Sequence, residues 1–413
     1  MTLSEELAWR GFINQTTYDD LSVLDNQKVT FYHGFDASAD SQTIGNLAGM
    51  MLDRLFMKHG HSGVILAGGA TSLIGDPGGK DAERPLQDEK TIADNIEKAK
   101  QQLGRVLGGY EFKMVNNLDW TRDLKVIEFL RDIGKYFSMT PLIQRDYIAR
   151  RLGEGGEGIS YAEFSYTILQ GMDYLHLYDN EHVSLQLGGS DQWGNILSGV
   201  ELVRRARGAE VNALTVPLII NKATGKKFGK TEEGAIWLDA SKTSPFDFYQ
   251  FWLNVEDEAV EEYLKIFSDI EKEQLEHLIL EFNNDRAGRL AQRTLARSVT
   301  ALVHGEDALK QIEEVASSAY GGQELNESSI ALLKTQLPVG QAKTGQTTIV
   351  EALVQTGLAS SNGDARRLIT DGGVYLNDER VSDTTAVFNS SNIIHGHAML
   401  ARGKTKAVIE LAE

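Results

Sequence analysis

The chain has no cysteine among its 413 residues. Disulfide bonds, thiolate metal sites and cysteine nucleophiles are therefore excluded for this sequence. No apolar run approaches the length needed to span a membrane, and residues 1–6 lack the basic and apolar pattern of a secretion signal. These absences suit a cytoplasmic protein, and cytoplasmic is the location we expect.

The chain is also short of positive charge. Its 41 lysines and arginines stand against 59 aspartates and glutamates, which gives a formal net charge of -18. This acidic excess argues against nonspecific coating of nucleic acid but leaves local RNA contacts open. At 413 residues the chain is too long for one ordinary hydrophobic core, so we expect two or three domains.

The first half alternates short apolar runs with helical patterns, which is typical of a parallel α/β sheet. Helices are predicted over 93–107 and 123–133. Strands are predicted at 29–35, 64–67, 183–187 and 216–220. The fold class we expect is therefore α/β, with a Rossmann-like parallel-sheet domain in residues 1–224.

The character of the sequence changes after Thr231. Apolar residues recur at helical spacing over 260–267 and again over 275–282, so residues 225–320 are predicted to hold a loop followed by an α-helical domain. Residues 321–345 are polar and glycine-rich, as expected of a linker with one short helix. A small α+β module is predicted at 346–413, with a helix over 359–370 and a strand over 374–377.

A phosphate-binding turn is suggested by residues 32–46, which lead from a strand through a turn into the start of a helix. Backbone N–H groups at a helix start favour anions, and Ser38, Thr43 and Asn46 can hydrogen-bond phosphate oxygens. An ordinary N-capped helix explains the same pattern.

Residues 68–80 superficially look like a phosphate loop. A glycine is missing at position 74, and Lys80 precedes Asp81 instead of serine or threonine, so a Walker-type site is excluded. The alternative is a loop in which Lys80 and Arg84 close over a phosphate chain.

Polar groups also gather in two later segments. Tyr166, Gln170 and Asp173 fall on one helical face, which indicates either a solvent-facing stripe or a polar pocket. Residues 186–195, Gln-Leu-Gly-Gly-Ser-Asp-Gln-Trp-Gly-Asn, lead from a strand end through a double glycine to a helix. Ligands bind at such strand ends in open α/β sheets.

The lysine loop, Lys227-Phe228-Gly229-Lys230-Thr231, follows an apolar run. Gly229 permits backbone shapes that other residues resist, and the two lysines can bring ammonium groups to a triphosphate. Taken alone, a glycine- and lysine-rich turn after a strand is more typical of a solvated loop than of a phosphate site.

Taken in order, these segments resemble the bacterial tyrosyl-tRNA synthetases, a class I aminoacyl-tRNA synthetase family. The likeness covers essentially the whole chain. It rests on Tyr-x-Gly-Phe-Asp at 32–36, Gly-Gly-Ser-Asp-Gln-Trp-Gly-Asn at 188–195 and Lys-Phe-Gly-Lys-Thr at 227–231. The resemblance implies ATP-dependent ligation of tyrosine to tRNA through tyrosyl-adenylate, with Mg²⁺ accompanying ATP and no protein-bound metal.

The resemblance also assigns roles to individual residues. The resemblance implies that Tyr32 and Asp173 bind the phenol group of the substrate. It implies that its ammonium group is bound by Asp76, Tyr166 and Gln170. The same pocket is implied to include Gln192, Thr71 and Asn117. The nucleotide is implied to contact Gly34, Asp36, Gly45, Gly189, Asp191 and Lys230. The catalytic set implied for the phosphates is Lys227, Lys230, Thr231, Lys80, Arg84, Ser38, Thr43 and Asn46.

One position departs from the family pattern. The signature His-Ile-Gly-His, or His-Ile-Gly-Asn, stands here as Thr43-Ile44-Gly45-Asn46. Threonine is shorter than histidine and cannot be cationic, so we expect a weakened phosphate contact in an active enzyme. Two alternatives stay open: an RNA-binding paralogue that no longer aminoacylates, which Thr43 supports, and a tryptophan-specific relative, against which Tyr32 and Asp173 argue.

The C-terminal half shares the resemblance. Residues 232–320 resemble the helical anticodon-recognition domain, with Glu256 near an acidic residue that reads the anticodon. Residues from 346 resemble a small RNA-binding fold shared with a ribosomal protein, in which nearly balanced charges predict a modest grip on phosphate. The implied partners are tRNA(Tyr), L-tyrosine, ATP and a second copy of the chain, with the dimer interface near 129–137 and 159–164.

Overall fold

The computed structural model describes residues 1–76, 87–153, 155–220, 228–231, 234–320, 327–403 and 405–412. The chain divides into two compact units. One comprises Met1–Thr243 and Phe251–Val303, and the other comprises Ser244–Gln250 and His304–Glu413. None of the described helices is both long and apolar enough to cross a membrane.

The first unit is built around a mixed sheet. Its described strands are β1 (Gln15–Thr16), β2 (Thr30–Phe35), β3 (Ser62–Ala67), β4 (Phe112–Asn116), β5 (Val183–Gly189) and β6 (Asn212–Val216). They are ordered β1-β6-β5-β2-β3-β4, and neighbouring strands are parallel except for the antiparallel pair β1 and β6. The predicted α/β class is therefore confirmed. Two short strands, β7 (Lys230–Thr231) and β8 (Gly234–Ala235), form a separate hairpin.

Three of the four predicted strands are confirmed, and the fourth is wrong in its bounds. β2, β3 and β5 match the predictions to within two residues at each end. The strand predicted at 216–220 lies instead at Asn212–Val216. Pro217 follows directly, and because proline has no N–H to donate to a neighbouring strand, the ladder ends before it.

Helices follow or separate these strands. In chain order they are α1 (Leu3–Arg10), α2 (Val23–Asn26), α3 (Ile44–Lys58), α4 (Gly69–Ile74), α5 (Glu89–Val106), α6 (Leu118–Thr121), α7 (Val126–Glu128), α8 (Met139–Ile143), α9 (Asp146–Leu152), α10 (Tyr161–Glu181), α11 (Trp193–Arg207), α12 (Pro245–Leu253), α13 (Val260–Phe267), α14 (Lys272–Asn284) and α15 (Leu290–His304). The helix predicted over 93–107 is confirmed as part of α5, which ends one residue earlier, at Val106. The one predicted over 123–133 is shorter, because α7 passes into a π-helical turn at Phe129–Ile133. The helices predicted around 260–267 and 275–282 are confirmed as α13 and α14.

Successive side chains of β2 point to opposite faces of the sheet. Tyr32 points to one face and packs against Tyr174 of α10, with ring centroids 5.1 Å apart. Phe31 points to the other face and packs against Phe56 of α3 at 5.4 Å. His33 also points there, because alternate residues of a strand share a face.

The second unit has its own sheet. Its described strands are β9 (Val339–Lys343), β10 (Val374–Leu376), β11 (Glu379–Arg380), β12 (His397–Arg402) and β13 (Thr405–Ala412), ordered β11-β10-β12-β13-β9. Its helices include α16 (Glu306–Tyr320), α17 (Glu327–Gln336), α18 (Ile349–Gln355) and α19 (Asn362–Thr370). The predicted helix over 359–370 and strand over 374–377 correspond to α19 and β10. The segment 321–345, predicted as a linker, contains α17 and also β9, which pairs in parallel with β13.

Candidate active site

A cleft of about 470 Å³ is lined by residues at the carboxyl ends of β2, β3, β5 and β6. This edge of an open α/β sheet is where ligands bind. Most of the site residues implied by the resemblance line the cleft, namely Tyr32, Gly34, Asp36, Thr43, Gly45, Asn46, Thr71, Asp76, Tyr166, Gln170, Asp173, Gly189, Asp191 and Gln192.

The other predicted site residues do not line the cleft or are not described in full. The backbone N–H of Ser38 donates to Asp36 Oδ1 at 2.8 Å, and Asn117 is a buried support for cleft residues. The residues outside the described part are Lys80, Arg84 and Lys227, and only the backbone is described for Lys230 and Thr231. Among the described residues, no cluster of three His, Asp or Glu side chains is suited to hold a metal ion.

Asp173 of α10 is a buried carboxylate, with 2% of its surface exposed. It accepts hydrogen bonds from Asn117 Nδ2 at 3.0 Å and from Trp120 Nε1 at 2.9 Å. Burial raises the pKa of Asp173 to about 7, against the opposing effect of these two hydrogen bonds. Sequence reasoning does not identify Trp120, because only the packing of α6 near α10 brings its indole N–H to the carboxylate.

The hydroxyl of Tyr32 is buried and has no hydrogen-bond partner among the described residues. Burial, with a smaller effect from the Asp173 charge, raises the pKa of Tyr32 well above its ordinary value, so the hydroxyl stays protonated. Two amide oxygens of the cleft, Gln170 Oε1 and Gln186 Oε1, are buried with no partner in the same described part of the chain. Unpaired buried polar atoms are costly, so these three atoms mark where a polar ligand can bind.

Asp76 is joined to α11 by a series of hydrogen bonds. Gln192 Nε2 donates to Asp76 Oδ2 at 2.7 Å, and Gln192 Oε1 accepts from Asn195 Nδ2 at 3.2 Å. Thr167 Oγ1 donates to Asn195 Oδ1 at 2.8 Å, which fixes the orientation of that amide. The series holds a carboxylate in the wall of the cleft, and a carboxylate there is suited to a substrate ammonium group.

Thr43 and Asn46 at the start of α3 are bonded to each other. Thr43 Oγ1 donates to Asn46 Oδ1 at 2.8 Å, and the Thr43 backbone N–H donates to the same oxygen at 3.0 Å. Because Asn46 Oδ1 accepts both bonds, the NH₂ group of this amide is left as the donor. Thr43 therefore uses its hydroxyl proton to orient Asn46.

The lysine loop is in direct contact with the start of α3. The Ile44 N–H donates to the Ile236 carbonyl at 3.1 Å, and the Ile236 N–H donates to the Gly229 carbonyl at 2.9 Å. Gly229 has φ of +82°, and a Cβ atom built there would lie 2.4 Å from Ile44 Cγ1. Only glycine fits this approach, so the two segments form one wall of the cleft.

Phe228 fixes the lysine loop from the other side. Its ring is buried and packs against Tyr263 at 4.3 Å, Trp252 at 5.5 Å and Phe267 at 5.9 Å between ring centroids. These rings come from α12 and α13. The aromatic cluster therefore holds the backbone of the loop against the cleft.

Two family models match this chain. One, described as tRNA synthetases class I (W and Y), matches residues 24–321. The other, described as the tyrosine–tRNA ligase SYY-like C-terminal domain, matches residues 329–409.

Individual relatives agree with these matches. The tyrosine–tRNA ligase of Bacillus caldotenax is 44% identical over 416 residues, which cover 98% of each chain. Tyrosine–tRNA ligase 2 of Bacillus anthracis is 41% identical over 411 residues, covering 97% of each chain. Among solved structures, a C-terminally truncated mitochondrial tyrosyl-tRNA synthetase of Aspergillus nidulans has a TM-score of 0.68 and 30% identity, over 75% of this chain and 92% of that one. The chain therefore belongs to the class I tRNA synthetases for tryptophan and tyrosine, and within them to the tyrosine–tRNA ligase family.

Proposed function

We propose that this enzyme activates L-tyrosine with ATP to give tyrosyl-adenylate and pyrophosphate, and then transfers tyrosine to the 3′-terminal adenosine of tRNA(Tyr). The proposal is carried by the Tyr32 hydroxyl, which has no described partner, in the same cleft as the buried Asp173 carboxylate. A substrate phenol can donate to the carboxylate and accept from the hydroxyl. Phenylalanine would leave the Tyr32 hydroxyl unpaired and would donate nothing to the Asp173 carboxylate. Tyrosyl-tRNA synthetases are the standard example of this form of selectivity.

The activation step needs no general base, because the tyrosine carboxylate is already an anion. One of its oxygens attacks the α-phosphorus of ATP, the bond from that phosphorus to the bridging oxygen breaks, and pyrophosphate leaves with the electron pair. Such a step depends mainly on positioning and on stabilisation of negative charge. In the transfer step a hydroxyl oxygen of the terminal adenosine attacks the tyrosyl carbonyl carbon, and the bond from that carbon to the phosphate oxygen breaks. AMP leaves with the electron pair, and the hydroxyl proton passes to the departing phosphate.

The site residues are proposed to divide between the two substrates. The tyrosine is held by Tyr32, Asp76, Tyr166, Gln170, Asp173 and Gln192, with Thr71 and Asn117 in support. The nucleotide contacts Gly34, Asp36, Gly45, Gly189 and Asp191, with Thr43 and Asn46 at the start of α3. The proposed cations for pyrophosphate are Lys80, Arg84, Lys227 and Lys230, with Thr231 beside them. ATP is expected to enter as its Mg²⁺ complex.

Exchange of labelled pyrophosphate into ATP, dependent on an amino acid, tests the proposal. Exchange that requires tyrosine is the expected result. Exchange with tryptophan instead would support the tryptophan-specific alternative. Silence with both amino acids, together with retained tRNA binding, would support the non-aminoacylating paralogue. Charging of tRNA(Tyr) with labelled tyrosine tests the transfer step.

Tyr32→Phe is expected to raise KM for tyrosine by about 3- to 10-fold, since a neutral hydrogen bond contributes ~0.5–1.5 kcal/mol. KM for ATP should not change. Because the hydroxyl has no described partner in the free protein, the variant should melt at or above the wild-type temperature. A lowered melting temperature with unchanged KM for tyrosine would assign the hydroxyl to folding instead. Exchange kinetics and thermal denaturation provide the two measurements.

We further propose that each domain of the chain has its own role. Residues 1–224 form the catalytic domain with a dimer-interface insertion, and 225–320 supply the lysine loop and anticodon-binding helices, with Glu256 reading the anticodon. Residues 321–345 lead to an RNA-binding domain at 346–413. The match of a separate family model to residues 329–409 supports a distinct C-terminal module. We propose a cytoplasmic location, which suits charging of tRNA.

A homodimer is proposed from the exposed apolar side chains of residues 126–161. Val126 and Ile127 are 71% and 72% exposed, and Tyr161 is 68% exposed. Further exposed apolar side chains in this stretch are Leu130, Met139, Ile143 and Leu152. Large exposed apolar side chains concentrated in one stretch indicate an association surface, and a second copy of the chain presents the same surface.

The double substitution Val126→Glu and Ile127→Glu is expected to convert the dimer to a monomer, because it introduces like charges into the proposed interface. Sedimentation velocity measures the change in mass. Leu280→Glu is the matched control, since Leu280 is 65% exposed on α14 and lies outside the stretch. A double variant that sediments as a dimer would contradict the proposed interface.

A further inference from the structure

Arg145, between α8 and α9, contacts both of the helices α10 and α11. The residue is half-buried. Its Nη1 donates to Thr167 Oγ1 on α10 at 3.0 Å and to Asn195 Oδ1 on α11 at 3.3 Å. Its Nη2 donates to Ser198 Oγ, also on α11, at 2.5 Å. All three acceptor residues are buried, so the guanidinium closes a polar space between two packed helices.

The hydrogen bonds that start at Arg145 run in one sense only. A guanidinium has five N–H donors and no acceptor, so Thr167 Oγ1 accepts from Arg145 and donates its own proton elsewhere. Its acceptor is Asn195 Oδ1, at 2.8 Å. Because Asn195 Oδ1 accepts from both residues, the Nδ2 donors of this amide point the other way. Arg145 therefore fixes which end of the Asn195 amide faces the cleft.

The same sense continues as far as Asp76. Asn195 Nδ2 donates to Gln192 Oε1 at 3.2 Å, which leaves Gln192 Nε2 to donate to Asp76 Oδ2 at 2.7 Å. Gln192 and Asp76 both line the cleft. If the two amides were reversed, Gln192 Oε1 would face the carboxylate, and two acceptors would oppose each other. A group that can only donate, at one end of the series, therefore keeps a donor beside Asp76 at the other end.

We propose that Arg145 is a positioning residue that holds Asp76 in place for the ammonium group of the amino-acid substrate. The inference rests on the proposed function and gives a part in it to a residue outside the described lining of the cleft. Hydrogen bonds between an ammonium group and a carboxylate are short and depend on geometry. Without Arg145 the donor from Gln192 would no longer be fixed, and Asp76 would lose part of its orientation.

The charge of Arg145 alone would have the opposite effect. Arg145 and a substrate ammonium group are both cations, so removal of Arg145 lowers their mutual repulsion and favours binding of the ammonium group. Loss of the hydrogen-bonded series weakens that binding instead. The sign of the change in Kd for an ammonium ligand therefore separates the positioning role from a simple effect of charge.

Tyramine and 4-ethylphenol are matched probes, because they share the phenol ring and a two-carbon chain and differ only in the amino group. Their Kd values, measured at equilibrium by displacement of labelled L-tyrosine, test the proposal without requiring turnover. Arg145→Met removes the donors from a side chain of similar length. In this variant Kd for tyramine and for tyrosine is expected to rise about 10-fold, the effect of losing one charge-assisted hydrogen bond, and Kd for 4-ethylphenol should change less than about twofold.

Arg145→Lys restores a group that can only donate, so its Kd for tyramine should lie closer to the wild-type value than that of Arg145→Met. Arg204→Gln is the matched control, because Arg204 is an exposed arginine of α11 that pairs with Glu201. Its Kd values should equal those of wild type. Tighter or unchanged tyramine binding in Arg145→Met, or an equal loss for both probes, would overturn the proposal.

A double-mutant cycle tests the route from Arg145 to the cleft. Asn195→Ala interrupts the series between Arg145 and Gln192. Adding Arg145→Met to this variant should therefore raise Kd for tyramine by less than about twofold more. If the two losses were fully additive, Arg145 would not act through Asn195, and the proposal would be overturned.

The inference and the proposed function fail in different ways. The expected pattern of Kd values without tyrosine-dependent pyrophosphate exchange would reject the proposed function and retain the positioning role of Arg145. Normal exchange in wild type, with no weakening of tyramine binding in Arg145→Met, would reject the inference alone. Wild-type protein that does not bind tyrosine would overturn both.

Discussion

Asp173→Ala is expected to lower kcat/KM for tyrosine by about 100-fold, because hydrogen bonds to a charged group contribute ~1.5–3 kcal/mol. The substitution removes the acceptor for the substrate phenol and leaves the Asn117 and Trp120 donors without their present acceptor. KM for ATP at saturating tyrosine should change by less than about twofold, since the contact is made to the other substrate. Pyrophosphate exchange as a function of each substrate measures both constants.

Asp119→Ala is the matched control for this loss. Asp119 is an exposed carboxylate on α6, next to Trp120 in sequence, so its removal changes net charge by the same amount near the same place. Both kinetic constants of the control should stay close to wild type. Equal losses in the two variants would mean that general electrostatics, and not a phenol contact at Asp173, governs tyrosine use.

The same carboxyl group predicts a pH dependence. Burial raises the pKa of Asp173 to about 7, so the ionised acceptor is lost as the pH falls through that value. kcat/KM for tyrosine should therefore decline on the acid side, approaching about tenfold per pH unit. Trp120→Phe removes a hydrogen bond that favours the ionised form, so its profile should break at higher pH. A flat wild-type profile between about pH 6 and pH 8 would contradict this reading of Asp173.

The fold was predictable where burial is uniform along a strand. β3 reads as a continuous apolar run because helices cover both faces of the sheet at this strand. β4 was not predicted, since Lys113 and partly exposed neighbours interrupt its pattern at the sheet edge. β9 lies in a polar, glycine-bearing segment, and its strand state comes from pairing with β13 near the end of the chain. Pairing of this kind is not encoded locally.

The site was predictable only in part, for a related reason. Motifs at strand ends converge because parallel strands place their carboxyl ends at one edge, so segments far apart in sequence line one cleft. The contact of Trp120 with Asp173 and of His33 with Asp53 joins residues separated by many positions on different elements. Neither spacing matches a helical or strand period, so only the packed structure shows these pairs. Gln186 begins a segment that the sequence already marks, but the sequence assigns no role to its side chain.

Gly229→Ala is expected to lower kcat for pyrophosphate exchange by about 100-fold, the size of effect caused by ångström-scale misplacement of catalytic groups. The new Cβ would lie 2.4 Å from Ile44 Cγ1, so the lysine loop has to move away from the start of α3. Phe228, held in its aromatic cluster, prevents the loop from shifting as a rigid piece. The backbone at Lys230 is therefore the part of the loop that we expect to be displaced.

Substitutions at two glycines separate the effect of backbone strain from the effect of the steric clash with Ile44. Gly234 also has positive φ, at +124°, but a Cβ there has no heavy atom within 4 Å. Gly234→Ala should therefore show the cost of strain alone, with a much smaller loss of kcat. Adding Ile44→Ala to Gly229→Ala removes the atom that the new Cβ meets, so the double variant should recover part of the lost rate. If Gly229→Ala exchanged pyrophosphate at the wild-type rate, contact between the lysine loop and α3 would not be required for activation.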